Sequence, residues 1–281
     1  MKKFSLFVAL CAAMTLSAQE PEWVAEIEIE GQQINSLNCQ SLHELLNAKQ
    51  IDKKQEMSVT YDRENSVLFF RNAFITWSDA KTAPFLKINQ KLTIKAEGET
   101  QVVMTEAKSF IETTSDVSFI GSQSEGKDAL IVYGHSTEGS SGIFAYLNGN
   151  DVNMDFEQVT VSANQCVNAL VGSAGGAHKV SFNYASFGMQ PQKEATLEIT
   201  EMTFNHSKIY KPADAQFSPE LKGIVLNGAL IAGQSVLIKR VDDEAIENQH
   251  AEIQNQKLIR DGQLLILRDG EMYNAQGTRV E

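Results

Sequence analysis

"LKINQKLTIKAEGETQVV", residues 86–103, decides how the rest of the chain is read. Two short alternating apolar runs flank a polar stretch from Lys95 to Gln101, and the Glu97-Gly98 pair inside it suits a turn because glycine accepts positive φ. Alone, the segment is a β-hairpin. It is not alone, because the apolar-x-apolar step recurs as Val67-x-Phe69, Leu92-x-Ile94, Val117-x-Phe119, Val152-x-Met154, Val180-x-Phe182 and Leu197-x-Ile199. The intervals are 25, 25, 35, 28 and 17 residues. Recurrence in this range with variable polar inserts marks an imperfect solenoid.

The segments between these steps supply what one coil of a parallel β-helix needs. Each holds two or three short β runs, such as "ALIVYG" at 129–134 and "VTVSA" at 159–163, separated by Gly, Ser, Asn and Asp. Alternation places Leu92 and Ile94, or Val117 and Phe119, on one face and turns Thr93 and Ser118 to the other. Coils stacked about 4.8 Å apart would form an apolar column inside and a polar surface outside. The inserts "GSQSEGKD" at 121–128 and "GHSTEGSSG" at 134–142 read as loops projecting from one side, and "VGSAGGAHK" at 171–179 as a tight corner.

Solenoid ends need covering. "SLHELLNAK" offers a capping box from Ser41 to Glu44 and places Leu42, Leu45 and Leu46 on one helical face, which predicts a short helix over the first coil. "GIVLNGALIAGQSVLIKR" at 223–240 is expected to finish the stack. Residues 241–257 read as a linker, and 258–281, with Arg-Asp-Gly at 260–262 and 268–270, as a three-stranded meander.

The first residues put Lys2 and Lys3 ahead of an apolar run from Phe4 to Leu16, then Ser17 and Ala18. That order predicts a secretory signal peptide over 1–18, and the run is shorter than the roughly 20 residues that span a bilayer. Leu10 stands before Cys11, where lipid-attachment signals have a small residue, which argues against lipidation. Removal of residues 1–18 takes two lysines and no acids, so the formal charge moves from −12 to −14. An acidic chain without a basic stripe excludes nucleic acid as an expected partner. Cys39 and Cys166 remain; a disulfide and two buried thiols are equally open.

"VAEIEIEGQQIN" and "MSVTYDRENSVLFFRNAFI" resemble the opening region of secreted Bacteroidetes-type β-helix proteins often labelled as carbohydrate-binding-domain-containing. The matching positions are Gly31, Ile34 and Asn35, then Val59, Tyr61 and Asp62, then Asn65 and Val67, then Asn72, Ala73 and Ile75. "LTIKAEGETQVV" and "DVSFIGS" look like that family's successive rungs. "GQLLILRDGEMYNAQG" partly resembles the end of an export sorting domain, though it is much shorter. The resemblance implies the fold over most of residues 23–240, and implies function only weakly, because one fold hosts many activities.

Chemistry is sparse. Asp151, Asp155 and Glu157 on "GNDVNMDFEQV" share one strand face and form the best acidic cluster; calcium needs such oxygen-rich clustering, though spacing alone does not establish it, and a solvated outer sheet is the ordinary reading. His43, His135, His178, His206 and His250 are scattered, without metal spacing of the HExxH type. Sugar rings stack on aromatic faces, which nominates Trp77, Tyr133, Tyr146 and Tyr184, each weighed against core packing.

The expectation is an exported, all-β, right-handed parallel β-helix with an N-terminal capping helix and a small C-terminal β tail. An antiparallel β-sandwich is the alternative, since alternation does not report strand direction. The expected activity is non-catalytic binding of a glycan or another surface molecule, with no required cofactor, in the periplasm, on the outer surface or outside the cell. A polysaccharide lyase or hydrolase on the same fold, and a structural or adhesin-like surface component, are the alternatives. Oligomeric state has no signal in the sequence.

Overall fold

The computed structural model describes residues 20–77, 83–105, 108–121, 129–135 and 142–241, together with the strands 256–260, 263–268, 271–274 and 279–280. The expected signal peptide and most of the two projecting inserts lie outside the described residues. Strand direction is settled in favour of the solenoid: strands stack in parallel through about five turns.

Each coil contributes one strand to each of three walls, in the order first, second, third. Leu86–Ile88, Leu92–Glu97 and Glu99–Thr105 form one such coil, and Ile143–Leu147, Asp151–Glu157 and Thr160–Asn164 another. The parallel register pairs Leu92 with Val117 and Ile94 with Phe119, as the recurrence predicts. Elsewhere the register differs. Val117 and Phe119 pair with Met154 and Phe156, which pair with Val180 and Phe182, and these with Met202 and Phe204. Val152 therefore sits one pleat from its expected partner, and Leu197 belongs to the first wall. Val67 and Phe69 face outward, while Leu68 and Phe70 fill the core, with Leu68 against Ile94.

This register lines up aromatic rings. On the second wall, Phe119 stacks on Phe156 at 4.9 Å, Phe156 on Phe182 at 5.0 Å, and Phe182 on Phe204 at 5.6 Å. A second column runs from Phe85 through Phe110 to Phe144, with 5.5 Å between successive centroids. In-register stacking in a solenoid dictates such columns, because equivalent inward positions lie one strand spacing apart.

The corner between second and third walls is made by a single residue with left-handed backbone: Asn72, Gly98, Gln158, Tyr184 and His206, with φ of 47°, 67°, 49°, 49° and 50°. One such residue between two extended runs redirects the chain without a loop. Gly98 is where the sequence placed it. The non-glycine residues there bear a cost of roughly 1 kcal/mol or more, offset by local contacts. Asn72 is the clearest case, since its buried amide donates to the carbonyls of Asp52 and Gln55 at 2.7 Å each and accepts from the Asp52 N–H at 2.7 Å.

The ends are closed differently from expectation. The helix is a single turn, Leu42–Leu45, and Ser41 makes no side-chain cap bond, so the capping box does not form. Leu42 and Leu46 are buried. Most of the first coil is covered by antiparallel strands, one per wall: Val24–Ile29 beside Leu86–Ile88, Ser58–Asp62 beside Val67–Arg71, and Lys49–Gln50 beside Ala73–Trp77. Gly31, at φ 74°, makes the turn from Val24–Ile29 into Gln32–Asn35, Val59, Tyr61 and Ile34 are core, and Asp62 accepts from Asn65 in the hairpin turn at 2.7 Å. Of the residues that carry the resemblance, Gly31, Asp62 and Asn65 thus serve turns, Asn72 a corner and Ile34, Val59, Tyr61, Ala73 and Ile75 the core, while Val67 faces outward.

At the other end Val236–Arg240 returns antiparallel and inserts between Ser186–Gln190 and Ser207–Lys211. A small sheet of Gln216–Ser218, Gly223–Leu226 and Ala229–Leu230 closes the first wall, where Ile224 N–H donates to Thr196 Oγ1 at 2.6 Å. The C-terminal segment is a four-stranded antiparallel meander beginning at Gln256, one strand more than expected and inside the expected linker. Cys39 and Cys166 are both buried and unpaired, and burial pushes the Cys166 thiol up to about 12 against the bond from Gly134. Among the described residues no helix is long and apolar enough to cross a membrane.

Candidate functional site

The three walls present different outer faces. The second is charged and partly compensated. Arg71 pairs with Glu97, Lys95 with Glu97 at 3.0 Å, and Lys179 with Glu201 at 2.8 Å. Burial pushes the Glu97 carboxyl up, but Lys95 and Arg71 outweigh it and hold the group below its usual range. Glu201 raises Lys179 above the ordinary lysine value.

Asp151, Asp155 and Glu157 do share this face. They do not converge. Alternate strand positions lie about 6.6 Å apart, and Asp155 accepts from Ser181 on the next coil. Among the described residues no group of three or more His, Cys, Asp or Glu side chains could hold a metal ion.

On the first wall, the outward row Glu28, Lys87, Glu112, Tyr146 is in register. Lys108 bonds Glu112 at 2.6 Å and lies 5.7 Å over the Tyr146 ring, so that ring is partly occupied. Tyr184 occupies a corner, where it stacks on His206 at 4.1 Å, and its carbonyl accepts from Arg240 Nε at 2.7 Å. Trp77 corrects the sequence expectation outright: it is buried and meets Phe85 edge-on at 5.7 Å. Its neighbour Thr76 takes the exposed position instead, because alternation allows only one of two successive residues to face out.

The third wall carries no charge over three coils at its described outward positions from Ala129 to Tyr133, Thr160 to Asn164 and Ser186 to Gln190. Its outward rows run Ala129, Thr160, Ser186; then Ile131, Ser162, Gly188; then Tyr133, Asn164, Gln190. This is an uncharged pleated surface of three hydroxyls, two amides and one phenol, with Ala129, Ile131 and Gly188 between them.

Beside it the inserted strand Val236–Arg240 breaks the parallel stack, and a register shift between Ile209 and Lys211 bends the outer strand away. The result is a trough of about 590 Å³. Gly188 forms part of its floor; a Cβ there would meet only Ser162 Oγ at 3.6 Å and Leu237 Cδ1 at 3.9 Å, so the absent side chain leaves open space. Asn164, Gln190, Gln234 and Ser235 line it with donors and acceptors, and Leu237 adds apolar surface. Of the four nominated aromatics, Tyr133 alone reaches this region, directly beside Asn164 in the register.

A second depression of about 430 Å³ lies at the N-terminal end. There Arg63 covers Trp23 at 5.2 Å, Gln90 donates to the Tyr61 hydroxyl at 2.9 Å, and Gln90 Oε1 accepts from the Glu26 N–H at 2.9 Å. These contacts tie the first strand to the first hairpin, which is a structural task.

Sequence reasoning missed Gly188, Asn164, Gln190, Lys211 and Leu237. One signal was available: a glycine inside the alternating strand "SFGMQ", which marks a bulge or a place of close approach. No family model, curated protein or solved structure matches the chain.

Proposed function

We propose that the protein is an exported, non-catalytic glycan-binding protein that seats a segment of a polyhydroxylated chain along the third wall and in its trough. The observation that carries this reading is the uncharged surface of three successive coils, hydroxyls and amides set among small and aliphatic residues, ending in the trough beside Tyr133. Sugars are recognised by hydrogen bonds to amides and hydroxyls together with contact to an aromatic or aliphatic face, and preformed concave sites of this size class hold small ligands. Among the described residues that line the trough there is no carboxylate or imidazole, so they do not place there the pair of acids that glycoside hydrolysis uses. Export rests on the N-terminal sequence, and the resemblance to secreted β-helix proteins agrees with it.

The test is a glycan array with the mature protein and Gly188→Leu, run with calcium and with a chelator. Gly188 has ordinary extended backbone, so leucine fits the strand while filling the trough floor. The expected result is a glycan signal that Gly188→Leu abolishes at unchanged melting temperature. Equal binding by both proteins, or silence across a diverse array, would sink the reading.

A further inference from the structure

We propose that the glycan taken by the trough is acidic, with its carboxylate or sulfate seated at the Lys211 ammonium; this rests on the glycan-binding reading above and names its ligand class. The chain as a whole has 36 acids against 24 lysines and arginines. In the trough that balance is inverted: among the described residues its lining holds one charged side chain, Lys211, and no acid. The described outward positions of the three coils running up to it are also free of acids.

Distance makes the local sign decisive. At physiological salt, charges more than about 8 Å apart are largely screened, so the groups that line the trough weigh most in its potential. Lys211 is exposed and forms no ion pair among the described residues; its ammonium lies 5.7 Å from the Tyr210 ring. Lys239 approaches the same ring at 4.4 Å, and Lys208 stands directly opposite Lys239 across the antiparallel pair. Lys208 and Lys239 have further partners of their own, so the charge offered to a ligand in the trough is that of Lys211.

The chemistry matches an acidic sugar better than a neutral one. An ammonium gives its strongest hydrogen bonds to an ionised acceptor, and the amides of Asn164, Gln190 and Gln234 donate equally well to carboxylate or sulfate oxygens and to hydroxyls. The register shift at Tyr210 is what brings Lys211 opposite Leu237 at the trough edge. Without it the alternation of the strand would have set a different residue there.

The experiment compares binding of the mature protein to matched polymers: polygalacturonate and its carboxyl-reduced form, and chondroitin sulfate and its desulfated and carboxyl-reduced forms. Single-stranded DNA serves as a polyphosphate without a sugar acid. The variants are Lys211→Gln and Lys211→Arg, with melting temperature checked for both. Expected are preference for an acidic polymer over its neutral counterpart, weakening by salt, about tenfold or greater loss in Lys211→Gln, and recovery in Lys211→Arg. Which polymer of the chondroitin series binds tells carboxylate from sulfate. Equal binding to acidic and neutral forms, indifferent to Lys211, overturns the acidic ligand while leaving glycan binding intact. Silence toward every polymer overturns both readings, and DNA binding as tight as the acidic glycans overturns the sugar acid.

Discussion

Phe156→Ala should destabilise the protein by about 4–5 kcal/mol, the upper part of the range for truncating a buried phenylalanine. The magnitude follows from position. Phe156 is 1% exposed and stacks on Phe119 at 4.9 Å, Phe182 at 5.0 Å and Phe187 at 5.0 Å, so its loss opens a cavity between coils and removes three ring contacts, each worth roughly 0.5–1.5 kcal/mol beyond area. Neighbouring rings cannot collapse inward, because each is held in its own strand by the ladder. Phe204 supplies the internal comparison: it ends the column, is only partly buried and stacks on Phe182 alone at 5.6 Å, so Phe204→Ala should cost about 2 kcal/mol or less. Equilibrium urea unfolding followed by tryptophan fluorescence measures both, with equal m-values required for the comparison. In calorimetry each kcal/mol shifts a domain of this size by roughly 2–4 °C. Equal effects of the two substitutions, or a loss below about 1 kcal/mol in Phe156→Ala, would refute the stacked-column account.

Asn72→Ala removes three hydrogen bonds from a buried corner and places alanine at φ 47°; a loss of about 3–4 kcal/mol is expected in urea unfolding, with proteolysis opening first near residues 51–55. Gly121→Ala drives a Cβ into the Gln158 carbonyl oxygen, a backbone atom of the next coil that cannot yield cheaply, so a loss of about 2–3 kcal/mol or failure to fold should follow; wild-type stability would contradict the coil spacing. Cys166 titrates at about 12 when folded against 9.0 as the ordinary value, so the unfolded chain releases its proton first as pH rises. Its contribution is full below pH 9 and is lost progressively toward pH 12, with a slope of about 1.4 kcal/mol per unit that Cys166→Ala should remove from the urea-derived stability profile; parallel profiles would refute the assignment.

Local pattern determined a good deal on its own. Alternation in "LTIKAEGETQVV" and its return at Val117-x-Phe119 identify strands, their inward faces and a corner at Gly98, because a pleat has period two and an uninterrupted coil has nearly constant length. The resemblance in the opening region is legible for the same reason: residues such as Gly31, Asp62 and Asn72 answer to backbone geometry within a short span. Register across an insert is another matter. Between Phe119 and Phe156 two polar inserts bring the interval to 37 residues, and a shift of two preserves every inward face, so Val152 and Met154 read alike until strands pair. In "SVLFFRNA" both alternating sets are apolar, and only packing chooses Leu68 and Phe70 over Val67 and Phe69.

Apart from the glycine inside "SFGMQ", the trough lies beyond local reading. It joins Ser162, Gly188, Lys211 and Leu237, residues up to 75 positions apart, and it exists because a late strand inserts antiparallel where a further parallel coil would have filled the space. Side-chain pattern reports which face of a strand meets the core. Which strands lie side by side, and hence which outward residues share a surface, is set by the free energy of closing the stack as a whole.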